Sequence, residues 1–122
     1  MSNILVVEDD QILREVYETV LHAGGHQTDT AEDGRVALDK CKNATYDVIL
    51  LDLMMPELDG VGFLKEAHLA TASPATKVII FSNLSSGHEI QEALDLGASE
   101  HILKATLTPK GLLQTIDERM NA

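Results

Sequence analysis

The segment ILLDLMMPELDG, residues 49–60, decides the fold class because it leads from an apolar strand into an acidic turn. The apolar run of residues 48–51 ends at Asp52, and a loop with two methionines and a proline then closes on Gly60. Short runs rich in Val, Ile and Leu are typical of strands buried on both faces of a parallel sheet. We therefore expect Asp52 at the end of a central strand.

Similar apolar runs occur at residues 4–7 and 78–81, and a shorter one at 101–103. The alternating polar stretch HQTDTA, residues 26–31, is typical of an edge strand. Since this second strand is polar and the first, third and fourth are apolar, we predict a parallel sheet in the order 2-1-3-4-5. Ligands of such sheets bind at the carboxyl ends of the strands, between the first and third.

Helical periodicity appears between the strands. Apolar residues from Ile12 to Leu21 follow helical spacing until Gly24 and Gly25, and further helices are predicted at residues 34–42, 61–69 and 86–96, with a loop at 70–76. Thr108 as N-cap and Pro109 as first residue begin the last helix. The alternation predicts one α/β domain over residues 1–122, a doubly wound (βα)5 three-layer sandwich.

Composition narrows the functional classes. The formal net charge of −11 argues against direct nucleic-acid binding and favours cations and basic partner surfaces. The single cysteine, Cys41, forms no internal disulfide, and the sequence contains neither a membrane span nor a signal peptide. We expect a cytoplasmic protein that does not bind membranes.

Acidic residues follow the two strands that flank the expected binding edge. Glu8, Asp9 and Asp10 follow the first strand and Asp52 follows the third. Each acid alone has a plain structural explanation, a helix cap or the start of a loop. Together they are costly, because two carboxylates about 5 Å apart repel by about 3 kcal/mol at an effective dielectric constant of 20. A cation would relieve this repulsion, and an all-oxygen ligand set favours Mg²⁺ over zinc.

A hydroxyl and a cation reach the same edge of the sheet. Ser82 ends the fourth strand, and Lys104 follows the fifth. Opposite a metal-bound carboxylate, these groups suit an anion with several oxygens, such as a phosphoryl group. Asp52 is the predicted phosphoryl acceptor.

The motifs ILVVEDD, DLMMPELDG, IIFSN and HILK, in this order and spacing, resemble the receiver domain of two-component response regulators, and the likeness extends over nearly the whole chain. The resemblance implies a flavodoxin-like fold, like that of a stand-alone chemotaxis regulator. It also implies that Asp52 accepts a phosphoryl group from a histidine kinase or phosphotransfer protein. Mg²⁺, or Mn²⁺ as an alternative, would be held by Asp9, Asp52 and the main-chain carbonyl of Met54, with Glu8 acting through water. Ser82 and Lys104 would bind the phosphoryl oxygens, while Asp10 would cap the helix.

The resemblance also implies how the signal leaves the domain. A downstream protein would contact the face of the fourth helix, fifth strand and last helix, or phosphorylation would promote a dimer there. His101 occupies the position of the switch aromatic in the fifth strand. Met54 and Leu84 flank the approach of water to the acceptor; both are apolar and are expected to prolong the phosphorylated state.

One departure from the family pattern concerns the residue after Lys104. The family usually has a proline there, in a cis peptide, whereas this chain has Ala105. A cis bond before a residue other than proline costs about 2.5 to 4 kcal/mol, so we predict a trans peptide between Lys104 and Ala105.

Two alternative functions remain open. A phosphorylation-independent interaction module would keep the fold without the chemistry, which the complete acid, hydroxyl and lysine set argues against. A hydrolase with an aspartyl-phosphate intermediate would need a second acid two residues after the nucleophile, where this chain has Met54. We therefore expect no enzyme activity beyond the protein's own phosphorylation and dephosphorylation. The five histidines are interpreted as scattered surface residues and Cys41 as a packed or half-exposed helix residue.

Overall fold

The computed structural model describes residues 2–83 and 87–120, in which strands and helices alternate. The strands are β1 (Asn3–Val7), β2 (Gln27–Ala31), β3 (Val48–Leu51), β4 (Lys77–Ser82) and β5 (Glu100–Leu103). The helices are α1 (Gln11–Ala23), α2 (Gly34–Asn43), α3 (Gly60–Ala67), the one-turn α4 (Leu69–Ala72), α5 (His88–Asp95) and α6 (Pro109–Met120), with a 3₁₀ turn at Lys104–Thr106. None of the described helices is both long enough and apolar enough to cross a membrane.

The five strands form one parallel sheet in the order β2-β1-β3-β4-β5, which confirms the predicted order and fold class. In the register of the sheet, Val7 lies level with Leu51, and Ser82 with Leu103. The residues that follow these strands therefore meet at one edge of the sheet. The strand order changes direction between β1 and β3, so that edge contains the cleft in which doubly wound folds bind ligands.

Apolar clusters cover both faces of the sheet, because successive strand residues point to opposite faces. One cluster packs the sheet against α2, α3 and α5, and its members include Leu5, Val7, Ile49, Leu51, Phe63, Ile80 and Ala93. The other packs it against α1 and α6, and its members include Ile4, Val6, Leu21, Leu50, Phe81, Leu112 and Ile116. Burying each large apolar side chain contributes about 1.5 to 3 kcal/mol, so these clusters hold the strand ends in register.

Side-chain caps fix where the helices begin. The carboxylates of Asp10, Asp33 and Asp59 accept hydrogen bonds from main-chain N–H groups in the first turns of α1, α2 and α3. The Thr108 hydroxyl accepts a hydrogen bond of 3.0 Å from the N–H of Gly111 at the start of α6. Each such cap contributes about 1 kcal/mol. The predicted capping roles of Asp10 and Thr108 are confirmed.

The predicted helix over residues 61–69 and the loop over 70–76 were wrong in detail. The helix ends at Ala67 because His68 has a left-handed backbone, with φ of 50°. The chain then forms the short helix α4, whose end is marked by a hydrogen bond of 2.9 Å from the N–H of Ser73 to the carbonyl of Leu69. Helical spacing in the sequence continues past this break, so periodicity alone could not reveal it.

Ile12 was expected in the apolar stripe of α1, but its side chain is 74% exposed. It lies in the first turn of the helix, at the edge of the sheet where β1 has already ended. The next residues of the stripe do face the sheet, and Tyr17 and Leu21 are buried there. The periodicity of the helix was therefore correct, but its first turn extends beyond the core.

The interpretation of all five histidines as surface residues was wrong for two of them. His26 is 6% exposed, and its Nδ1 accepts a hydrogen bond from the N–H of Ser2 while its Nε2 lies 2.7 Å from a carboxylate oxygen of Asp117. It joins the beginning of the sheet to α6. His101 is half-buried, and its Nε2 is a buried atom without a hydrogen-bond partner among the described residues.

Cys41 is half-buried in α2, as predicted. Burial raises the pKa of its thiol to about 11. The thiol is therefore protonated at neutral pH, and a protonated thiol is a poor nucleophile.

Candidate functional site

Three carboxylates meet at the carboxyl edge of the sheet. One oxygen from each of Glu8, Asp9 and Asp52 lies within 4.8 Å of the others. Strand register causes this arrangement, because Glu8 and Asp52 directly follow the paired residues Val7 and Leu51. Glu8 and Asp52 are buried, whereas Asp9 is exposed. The predicted convergence of these acids is therefore observed.

Lys104 lies between the two buried acids. Its Nζ donates a hydrogen bond of 2.9 Å to Asp52 and another to Glu8. The lysine side chain is 9% exposed, so these ion pairs are shielded from water. The second carboxylate oxygen of each acid accepts a hydrogen bond from a main-chain N–H group. The N–H of Asp10 donates to Glu8 at 3.1 Å, and the N–H of Met54 donates to Asp52 at 3.1 Å. The carboxylates are thus held at both oxygens.

The charges of this cluster depend on one another. Burial raises the pKa of Glu8 above 4.5, and the hydrogen bonds from Lys104 and the Asp10 N–H only partly offset this. Burial alone would lower the pKa of Lys104, but its hydrogen bonds to Glu8 and Asp52 raise that pKa above 10.5. Lys104 is therefore a permanent cation at neutral pH, and it offsets the repulsion between the acids.

The donor set fits a hard divalent cation. The residues that could hold it supply carboxylate oxygens within 4.8 Å of one another, with no nitrogen or sulfur ligand in the group. Mg²⁺ prefers such oxygens and usually keeps several of its waters, which the exposed side of Asp9 allows. The ammonium of Lys104 already shows that this position favours positive charge.

The remaining predicted site residues lie around this cluster. Ser82 is buried at the end of β4, next to β3, on the same face of the sheet as His101 in β5. Met54 is 64% exposed in the loop after β3. Leu84, the other residue expected to affect the lifetime of the phosphorylated state, lies outside the described residues.

The peptide bond between Lys104 and Ala105 is trans, as predicted. Because residue 105 is alanine and not proline, it carries a main-chain N–H group, which donates a hydrogen bond of 2.9 Å to the side chain of Asn83. Thr106 donates from its hydroxyl to the carbonyl of Leu103 at 2.7 Å. These bonds fix the 3₁₀ turn that begins at Lys104.

Sequence reasoning missed two residues beside the site. Asn83 directly follows Ser82 and binds Ala105, so it connects the ends of β4 and β5. Arg14, in the first turns of α1, donates to the main-chain carbonyls of Glu8 at 2.8 Å and Asp9 at 3.3 Å. Its position four residues after Asp10, on a predicted helix that follows an acidic turn, was the available indication.

Comparison with known proteins identifies the family of this chain and the same fold in solved structures. A family model described as response regulator receiver domain matches residues 4–117. The response regulator ArlR of Staphylococcus epidermidis is 36% identical over 104 residues, which are 85% of this chain and 46% of ArlR, so this chain spans less than half of that relative.

Two solved structures show the likeness in three dimensions. Chemotaxis protein CheY4 of Vibrio cholerae has a TM-score of 0.86 at 30% identity, covering 97% of this chain and 98% of that one. The response regulator TrrA of Thermotoga maritima, solved in complex with Mg²⁺-BeF, has a TM-score of 0.78 at 28% identity, covering 97% and 98% of the two chains.

Proposed function

The chain belongs to the response regulator receiver domain family of two-component systems, and from that premise we propose that Asp52 is its phosphoryl acceptor. The observation that carries the proposal is the pairing of Asp52 with Lys104 beside two further acids, at the switch point of the sheet. A phosphoryl acceptor needs a cation to bind the phosphoryl oxygens and a metal to neutralise charge on the attacking and leaving groups. Lys104 supplies the first, and the neighbouring acids could hold the second.

The proposed reaction transfers a phosphoryl group from a phosphohistidine to a carboxylate oxygen of Asp52. A P–O bond to Asp52 forms, the P–N bond to the donor imidazole breaks, and the departing nitrogen takes a proton from solvent. Lys104 would leave its contacts with Glu8 and Asp52 and pair with a phosphoryl oxygen. The Ser82 hydroxyl would donate a hydrogen bond to another phosphoryl oxygen.

Mg²⁺, with Mn²⁺ as an alternative, would be held by Asp9, Asp52 and the carbonyl of Met54, with Glu8 acting through water. When bound, the ion would neutralise charge that accumulates on the oxygens during transfer. Glu8 also keeps Asp10 in place through the hydrogen bond from the Asp10 N–H. The complex of TrrA with Mg²⁺-BeF supports this assignment by similarity.

The protein would act as a switch and not as an enzyme with turnover on other molecules. It would catalyse only its own phosphorylation and dephosphorylation, because Met54 stands where a hydrolase would need a second acid. Receiver domains interact with histidine kinases and with downstream partners. We propose that the output surface here is formed by α5, β5 and α6, with His101 in the position that couples it to Ser82. Hydrogen exchange of residues 88–120, with and without phosphodonor, tests that assignment.

Phosphorylation is tested by incubating the protein with Mg²⁺ and a small phosphodonor and measuring its intact mass. The wild type and Asp39→Asn, a change at an exposed acid in α2, should each gain one phosphoryl group. Asp52→Asn should gain none. Equal uptake by Asp52→Asn would overturn the acceptor assignment, and no uptake by the wild type would favour a phosphorylation-independent interaction module.

A further inference from the structure

Asp9 differs from the other two acids in what holds it. Both carboxylate oxygens of Glu8 and of Asp52 accept hydrogen bonds from Lys104 or from main-chain N–H groups. The Asp9 carboxylate has no hydrogen bond or ion pair with any residue in the described ranges 2–83 and 87–120. Its position is therefore set by the backbone that carries it.

The backbone around Asp9 is fixed on both sides. The N–H of Glu8 donates a hydrogen bond of 3.0 Å to the carbonyl of Ala31, and the Asp10 carboxylate accepts one of 3.1 Å from the N–H of Leu13. Between these anchors, the main chain of Asp9 is hydrogen-bonded, among the described residues, by one side chain. Arg14 donates to the carbonyl of Asp9 at 3.3 Å and to the carbonyl of Glu8 at 2.8 Å, through the same nitrogen.

Arg14 itself is well placed to hold this turn. Its main-chain N–H donates a hydrogen bond of 2.9 Å to the carbonyl of Asp10, so the residue belongs to the first turn of α1. Its side chain extends back over the loop that precedes the helix. Its side chain is half-buried, and the planar guanidinium loses little freedom when it bridges two acceptors. Because it binds carbonyls, it leaves the Asp9 carboxylate open to the site.

We propose that Arg14 is a positioning residue for the metal site, and that it acts by fixing the peptide groups that carry Asp9. This inference depends on the proposed binding of Mg²⁺. Residues that orient metal ligands typically contribute ten-fold or more in affinity. A purely electrostatic role for Arg14 would have the opposite effect, since a cation beside an acidic cluster repels Mg²⁺.

The test measures the Mg²⁺ dissociation constant by calorimetry for the wild type, Arg14→Gln, Arg14→Lys and Arg35→Gln. Arg35→Gln is the matched control, because it removes the same charge from α2 and not from the loop that carries Asp9. The Arg35 side chain is 61% exposed, and its nearest described acid lies 3.9 Å away. Arg14→Gln should raise the dissociation constant roughly ten-fold. Arg14→Lys should recover part of that loss, and Arg35→Gln should leave affinity unchanged or slightly stronger.

A double-mutant cycle separates positioning from general stability. In an Asp9→Asn background, Arg14→Gln should change the dissociation constant by less than about two-fold, because the ligand it positions is already lost. Urea unfolding without metal gives the stability of each variant independently. If Arg14→Gln binds Mg²⁺ as tightly as the wild type or tighter, or if its effect persists without Asp9, the positioning role is wrong. If the wild type binds no Mg²⁺, the metal site of the proposed function fails together with this inference.

Discussion

Removing the ammonium of Lys104 should show how much this buried cation contributes to the free energy of unfolding. In Lys104→Met, the buried carboxylates of Glu8 and Asp52 lose the cation that both contact. Breaking a buried ion pair by removing one partner typically destabilises a protein by about 3 to 5 kcal/mol. The free energy of unfolding without metal should therefore fall substantially.

Protonation limits the size of that loss. An unpaired carboxylate can take up a proton instead of remaining buried and charged. For a glutamate with an ordinary pKa of 4.5, this costs about 3.4 kcal/mol at pH 7, because each pH unit is worth about 1.4 kcal/mol. We therefore expect a loss of about 3 kcal/mol at pH 7, equivalent to roughly 1 to 3 M in the urea midpoint.

The pH dependence has a definite sign. The folded variant binds a proton more tightly than the unfolded chain does, so its stability should increase as the pH falls from 7 towards 4.5. The gap between variant and wild type should narrow over that range. Urea unfolding followed by circular dichroism at several pH values measures both quantities.

Mg²⁺ provides a second measurement. Because Lys104 no longer competes for the acids, saturating Mg²⁺ should raise the urea midpoint of Lys104→Met by more than that of the wild type. Lys65→Met is the matched control, since Lys65 forms an ion pair of 2.9 Å with Glu92 but is 57% exposed. A surface pair of this kind contributes about 0 to 1 kcal/mol. Equal losses in the two variants, or a smaller Mg²⁺ effect in Lys104→Met, would refute the reasoning.

Three further predictions concern other parts of the molecule. Met54→Asn should speed loss of the phosphoryl group roughly ten-fold, because an amide can orient a water that methionine excludes; mass spectrometry after donor removal measures the decay, and an unchanged rate would remove the shielding role. Glu57 has a left-handed backbone with φ of 62°, so Glu57→Gly should stabilise the protein by about 0.5 to 1 kcal/mol in urea unfolding, whereas Glu57→Ala, which keeps the strain, should not. The hydrogen bonds from Arg119 lower the pKa of Glu100 below 4.5. The stability that these bonds give is therefore present above pH 4.5 and is lost as the pH falls through the lowered pKa. Between about pH 5 and 3, the free energy of unfolding should fall less in Glu100→Gln than in the wild type, as measured by urea unfolding.

The sheet and the meeting of the acids were predictable because both follow from strand order. The apolar runs identified the strands, and β3 was predicted at its observed bounds, Val48–Leu51. Once the order is known, Glu8, Asp52 and Lys104 must lie at one edge, without knowledge of any side-chain contact.

The sequence could not indicate features that depend on a single backbone angle or on a single partner far away in the chain. The left-handed conformation of His68 divides a predicted helix, and because most histidines do not adopt this conformation, the residue type alone does not reveal the break. His26 is buried because Ser2 and Asp117, far apart in the chain, supply its two hydrogen-bond partners. Arg14 and Asn83 bind main-chain groups, and even the spacing of Arg14 from Asp10 does not specify which carbonyl its side chain binds.

The contacts of Lys104 also have a consequence for the order of folding. They join residues that are 96 and 52 positions apart in the chain, so closing them requires β1, β3 and β5 to be assembled together. Contacts of such long range form late, because the entropy of closing the loops must be overcome first. β5 is an edge strand whose four residues are all only half-buried, which makes it a natural place for local opening. A molecule in which β5 has detached keeps its acids and most of its core but loses the cation between them. If Asp52 is the phosphoryl acceptor as proposed, competence for phosphorylation would then disappear before the rest of the fold does, and only completely folded molecules could be phosphorylated.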